Sequence, residues 1–204
     1  MLRRLLQLYI GLVLYGVSTA LFVHANLGAD PWDVFHLGMG KQFGLDFGTV
    51  MILTGAAVLL LWIPLRQMPG LGTISNVIVL GLAANATLAV LPPLESVVAR
   101  SLLLVGAVIL NALATGMYIG AGFGPGPRDG LMTGLHARTG WSLRGIRTAI
   151  EVSVLLIGWM AGGTFGVGTV LYALTIGPLI QLCLPWFRQP VAVPPVAASR
   201  EAAS

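Results

Sequence analysis

The sequence predicts an all-α fold: a polytopic membrane helix bundle of six transmembrane helices in an inverted 3+3 repeat. Each half carries one short interfacial or re-entrant helix. Three observations lead there. Only 9% of the 204 residues are charged and 56% are hydrophobic, with a mean hydropathy of +0.90. A soluble domain is about one quarter charged, so the composition fits lipid rather than water as the solvent. Six apolar stretches approach the roughly 20 residues a helical span needs. The chain also resembles itself at a constant offset.

The spans are Leu5–Val23, Phe47–Leu65, Ile74–Leu91, Leu102–Ile119, Ile146–Met160 and Val170–Phe187. The first opens "MLRRLLQLYIGLVLYGVSTALFVHA", basic and then apolar like a signal peptide. Its apolar run exceeds the usual h-region of about 7–15 residues, so it reads as an uncleaved helix. The membrane domain is 1–187, with repeats of about 5–92 and 101–187. The Pro/Ala-rich end, 188–204, reads as a disordered cytoplasmic tail, with too little apolar surface to offset ordering entropy.

Basic residues set the orientation. With the N-terminus in the cytoplasm, nine of eleven fall inside: Arg3, Arg4, Arg66, Arg128, Arg138, Arg144, Arg147, Arg188 and Arg200. Only Lys41 and Arg100 fall outside. Both termini of a six-span chain are then cytoplasmic.

A shift of 96 residues brings Gly28, Pro31, Asp33, Gly38 and Gly44 onto Gly124, Pro127, Asp129, Gly134 and Gly140. It also brings "GLGTI" from Gly70 onto "GVGTV" from Gly166, and Thr19 onto Thr115. Single glycine matches are cheap in a chain with 27 glycines. Pro, Asp and a Gly-x-Gly-Thr cluster at one offset are not. Three spans per half is odd, so the halves run in opposite directions, as in many secondary transporters.

The short helices have clear boundaries. Asp30 caps the first, with Pro31 at its first helical position. Gly126 and Pro127 take those places in the second. Gly44 and Gly140 supply left-handed C′ residues. About 12 residues span roughly 18 Å, too short for a hydrocarbon core of about 30 Å. Each helix therefore lies at the interface or dips in and returns. Gly/Pro-interrupted segments in matching positions of two halves point to a transporter binding site. As plain interfacial helices capping the bundle, they would carry no ligand.

Candidate substrate-binding residues follow from these helices: Asp33, His36, Arg128, Asp129 and His136. Asp33 and Asp129 also suit the positive end of a helix dipole without any ligand, and Asp33 is expected to face outside. A second candidate set is an ion-pair network of Arg128, Asp129, Arg147 and Glu151 at the cytoplasmic end. Arg147 and Glu151 share a helix face, and an unpaired Glu151 in an apolar stretch would be costly. Gly70, Gly72, Thr73, Gly166, Gly168 and Thr169 read as structural turns, the threonines as helix caps. Asn76, Asn85 and Asn111 read as interhelical hydrogen-bonding residues.

No catalytic motif is present, so an enzyme is not expected. Neither is a cofactor. The three histidines lack metal-ligand spacing, the one cysteine, Cys183, allows no disulfide within a chain, and no basic run suits nucleic acid.

The stretches "GADPWDVFHLGMGKQFGLDFGTV", "PGLGT", "GAGFGPGPRDGLMTGLHARTGWSLRGIRTAIE" and "GVGTVLYALTIGPLI" resemble the YczE/YyaS/YitT group of bacterial integral membrane proteins, the YczE branch above all. The likeness runs to about Phe187. It implies a bacterial multi-pass protein and carries over no catalytic residue. The functional expectation is a transporter-like protein for a small solute or ion, in contact with the lipid bilayer. The alternative is a non-transporting accessory or scaffold for a membrane-associated biosynthetic or secretion partner. A homo-oligomer or a membrane protein partner fits either.

Overall fold

In the computed structural model, residues 1–188 are described, and every regular element among them is a helix. The chain runs α1 (Leu2–Ala25), α2 (Pro31–Phe43), α3 (Phe47–Leu65), α4 (Leu71–Val90), α5 (Val97–Gly120), α6 (Pro127–Thr139), α7 (Leu143–Met160) and α8 (Val167–Phe187). The tail from 189 onward, expected to be disordered, lies outside the described residues. Helix lengths run 24, 13, 19 and 20 residues, then 24, 13, 18 and 21.

Among the described residues, five helices are long and apolar enough to cross a membrane: α1, α3, α4, α5 and α8. The expectation of six spans differs at α7. Its 18 residues hold Arg144, Arg147 and Glu151, because its first turns flank the polar interior described below.

In lipid, helices associate through close packing rather than through water exclusion, so small residues mark the contacts. Gly16 of α1 sits against the Leu80 carbonyl, Ala83 and Ala84 of α4, and Gly11 lies against Met117 and Tyr118 of α5. Gly48 of α3 faces Gly81 of α4 backbone to backbone. Leu8, Leu12, Ala20 and Ala84 are fully buried in the resulting core.

The contacts between the halves are reciprocal. Arg4 Nε donates to the Ala121 carbonyl at 3.0 Å, and its Nη2 to Gly122 at 3.2 Å. Arg100, 96 residues on, does the same to Ala25 and Asn26, at 2.6 Å each. Each arginine thus meets the last carbonyls of the other half's first helix, which lack helical partners and carry the negative dipole end. The start of α1 lies at the end of α5 and the converse, so the two run antiparallel.

The glycine turns repeat the pattern. The Gly72 N–H donates to the Phe123 carbonyl at 2.9 Å, and Gly168 to Leu27 at 2.8 Å. Thr73 and Thr169 sit three residues into their helices, where each Oγ1 accepts the N–H of Gly70 or Gly166. They close these turns from inside the helix rather than as the N-cap itself. Likewise α2 packs on α7 as α6 packs on α3.

One relation is not reciprocal. α3 packs along α4, whereas α7 and α8 stand apart. Gly81 is pressed against Gly48, while its counterpart Gly177 has open space beside it.

Candidate functional site

The short helices are placed by their own caps. The Asp30 carboxylate accepts the Asp33 N–H at 2.8 Å, Pro31 fixes the first turn, and Gly44 ends α2 in left-handed geometry. Gly126, Pro127 and Gly140 do the same for α6, without a capping side chain. Neither helix lies flat on the surface. A side chain added at either C-terminal glycine would meet open space, while the N-terminal ends are buried next to one another.

Two side chains hold those ends together. Arg128 of α6 reaches Asp30 of α2 at 3.6 Å and stacks on the Trp32 ring, 4.7 Å from its centroid. Trp32 and Arg128 occupy equivalent positions in the two halves. The stack therefore joins corresponding positions of the two short helices. Trp62 Nε1 donates to the Pro127 carbonyl at 3.0 Å, and its ring lies where Gly130 leaves room.

Around the stack lies a cavity of about 260 Å³, walled by α1, α3, α4, α5, α7, α8 and the starts of α2 and α6. Asp30, Trp32, His36, Arg128 and Asp129 line it from the short helices. Tyr15, Asn76, Thr115 and Tyr118 line it from the long ones, and Arg147 and Glu151 from α7. Tyr118 donates to Asp129 Oδ2 at 3.4 Å.

Three of the five candidate substrate residues, His36, Arg128 and Asp129, line the cavity. Asp33 lies behind it, fully buried, with Oδ1 3.3 Å from His36 Nδ1 and no hydrogen-bond partner on Oδ2. The expectation that it faces outside fails because α2 points its first turn into the bundle. His136 lies at the exposed end of α6, its Nδ1 2.6 Å from the Trp141 carbonyl. The four-residue ion-pair network divides. Arg147 and Glu151 pair at 2.8 Å, but Arg128 pairs with Asp30, and Asp129 bonds Tyr118. Neighbouring residues on a helix diverge by about 100°, and Arg128 and Asp129 turn to different partners.

The asparagines separate too. Asn85 Oδ1 accepts the Gly48 N–H at 2.7 Å, and Asn111 bonds Ser18 at 2.9 Å, as expected of interhelical groups. Asn76 faces the cavity instead. Asp30 reads in sequence only as a cap, and Tyr15 and Tyr118 as span residues. Thr115 carried a signal, its match with Thr19. The Arg4/Arg100 pair, also at the 96-residue offset, carried one as clear.

The chain matches the family of unknown function DUF6198 over residues 2–185. It belongs to that family. A Haemophilus influenzae relative, an uncharacterized protein, is 37% identical over 177 residues, covering 87% of this chain and 81% of its own. The uncharacterized membrane protein YczE of Bacillus subtilis is 31% identical over 179 residues, covering 87% and 83%. YyaS of the same organism is 23% identical over 180 residues, covering 86% and 90%. No solved structure matches the chain. The DUF6198 match spans both short helices and the whole cavity lining, and the YczE relative together with the long apolar helices bears out a multi-pass membrane protein.

Proposed function

We propose that this DUF6198 protein carries a small solute across the bacterial cytoplasmic membrane, without enzymatic chemistry. It does so as a six-span inverted repeat with both termini in the cytoplasm. One observation carries the reading: a cavity with charged and polar side chains among its lining, where the N-terminal ends of two half-length helices meet. Broken or half-length helices meeting near the midplane are how secondary transporters build a site. Polar groups inside a membrane are costly and mark pathways. A scaffold would gain more from a packed, apolar centre. The antiparallel α1 and α5 support the inversion, and α7 completes the sixth span with its charged face turned to the cavity. The basic-residue bias supports the orientation.

The experiment is flux. Purified protein in liposomes is tested with labelled forms of solutes that raise its melting temperature in detergent. At least one should accumulate above protein-free vesicles, and Trp32→Ala should slow it tenfold or more. If no stabilising solute crosses, the accessory role becomes the better account. Topology is tested with Phe43→Cys and Thr139→Cys, equivalent exposed positions at the ends of the short helices, in a Cys183→Ala background. Phe43→Cys should label from outside and Thr139→Cys from inside. Labelling of both from one side rules out the inversion.

A further inference from the structure

The charged groups around the cavity do not cancel. Three carboxylates line it, Asp30, Asp129 and Glu151, against two guanidinium groups, Arg128 and Arg147. Arg128 is within ion-pair distance of Asp30, and Arg147 of Glu151. Asp129 has no basic group that close; its nearest polar contact is the Tyr118 hydroxyl at 3.4 Å. The two helix N-termini do not make the cavity an anion site. The α2 end is already capped by the Asp30 carboxylate, and Asp33 and Asp129 stand in the first turns of α2 and α6. Their dipoles are met by the chain's own acids.

Neutral groups are also left without partners. Thr115, 6% exposed, has an Oγ1 that is buried and bonded to nothing, though Thr115 lines the cavity. Asn76, 8% exposed, lines it as well, and among the described residues its amide has no hydrogen-bond partner. Buried polar groups are normally satisfied, so the unpaired Thr115 hydroxyl, on a cavity that also holds the unbonded Asn76 amide, points to an occupant. Both offer acceptor oxygens. The volume, about 260 Å³, lies just below the usual range for drug-sized ligands.

We propose that the cavity binds a small organic cation, a protonated amine, whose N–H groups donate to the Asp129 carboxylate and to the free oxygens of Asn76 and Thr115. The neighbouring tyrosine rings, Tyr15 and Tyr118, pack edge to face at 6.0 Å and give its carbon skeleton an apolar flank. This rests on reading the cavity as a solute site. An anion would instead face Asp30 and Asp129 with Arg128 already engaged.

The test is thermal stability of the full-length protein in detergent with methylammonium, ethylammonium or ethanolamine, against acetate and ethanol at equal ionic strength. The amines should raise the melting temperature with concentration, as a ligand of the folded state does, while acetate and ethanol should not. Asp129→Asn should weaken the amine response at least tenfold, with Asp129→Glu restoring part of it. Thr115→Val and Asn76→Leu should each weaken it severalfold, which keeps the test valid if Asp129→Asn does not assemble. Stabilisation by acetate alone, or an undiminished amine response in all three variants, overturns the proposal. Amine binding without flux removes the transport reading and leaves the site. Flux of another solute with no amine response does the reverse.

Discussion

Gly28 and Gly124 adopt φ of 109° and 113°, where a side chain is strained. They are also wedged. A Cβ on Gly28 would meet the Gly166 nitrogen at 2.7 Å and Thr169 Oγ1 at 2.8 Å, and one on Gly124 would meet Thr73 Oγ1 at 2.9 Å. Sequence alignment of the halves finds both glycines but not what they touch. Each lies against the Gly-x-Gly-Thr turn of the other half. Gly28→Ala and Gly124→Ala should each cost about 1–3 kcal/mol, read as a lowered melting temperature in detergent, with similar sizes because the sites are equivalent. Arg4 and Arg100 give a matched pair of another kind. Arg4→Ala and Arg100→Ala should each lower stability by on the order of 1 kcal/mol, since each leaves two helix-end carbonyls without their cationic donor. Lysine should rescue poorly, because one ammonium does not reproduce the guanidinium fork. A loss confined to one arginine would contradict their equivalence.

At the level of helices, α2 and α6 depend on what lies beside them. Trp62, 2% exposed, fills the space over Gly130, and its indole bonds the Pro127 carbonyl. In the other half the roles reverse: Gly158 of α7 makes room for Val34 and Phe35 of α2. Trp62→Ala should cost about 3–5 kcal/mol and loosen α6 more than α2. Faster hydrogen exchange across 127–139 than across 31–43 would display this. These helices were legible because Pro, Gly and Asp punctuate them, and caps are local chemistry that a sequence states directly. Their tilt was not. Whether a 13-residue helix lies flat or points inward depends on its neighbours, here Trp62 and Gly158, which share no local pattern with it. For the same reason the ion pair of Arg128 with Asp30 stayed hidden. The two lie 98 positions apart and meet only because both helix starts are buried.

Over the whole molecule, the two halves repeat most contacts but differ in one: α3 packs along α4, whereas α7 and α8 stand apart. Gly55 of α3 lies close to Val77 of α4, where an added Cβ would be 3.1 Å from the valine methyls. The equivalent pair, Glu151 and Ala173, belongs to helices that stand apart. In a Cys183→Ala background, Gly55→Cys with Val77→Cys should cross-link readily with a short reagent, and Glu151→Cys with Ala173→Cys should not. A carrier that alternates would exchange the two behaviours on binding its solute, with α7 closing on Gly177 as α3 now closes on Gly81. Pro178 follows Gly177 inside α8, and a proline within a helix supplies a natural bend. Identical cross-linking of both pairs, with and without solute, would indicate a static asymmetry. The paired arginine clasps are self-complementary. Because each half supplies the clasp and receives it, a single half inserted in both orientations would bind its own inverted copy through these same bonds. The cavity wall does not share this symmetry: Met51 and Gly55 line it at the positions where, 96 residues on, Arg147 and Glu151 line it.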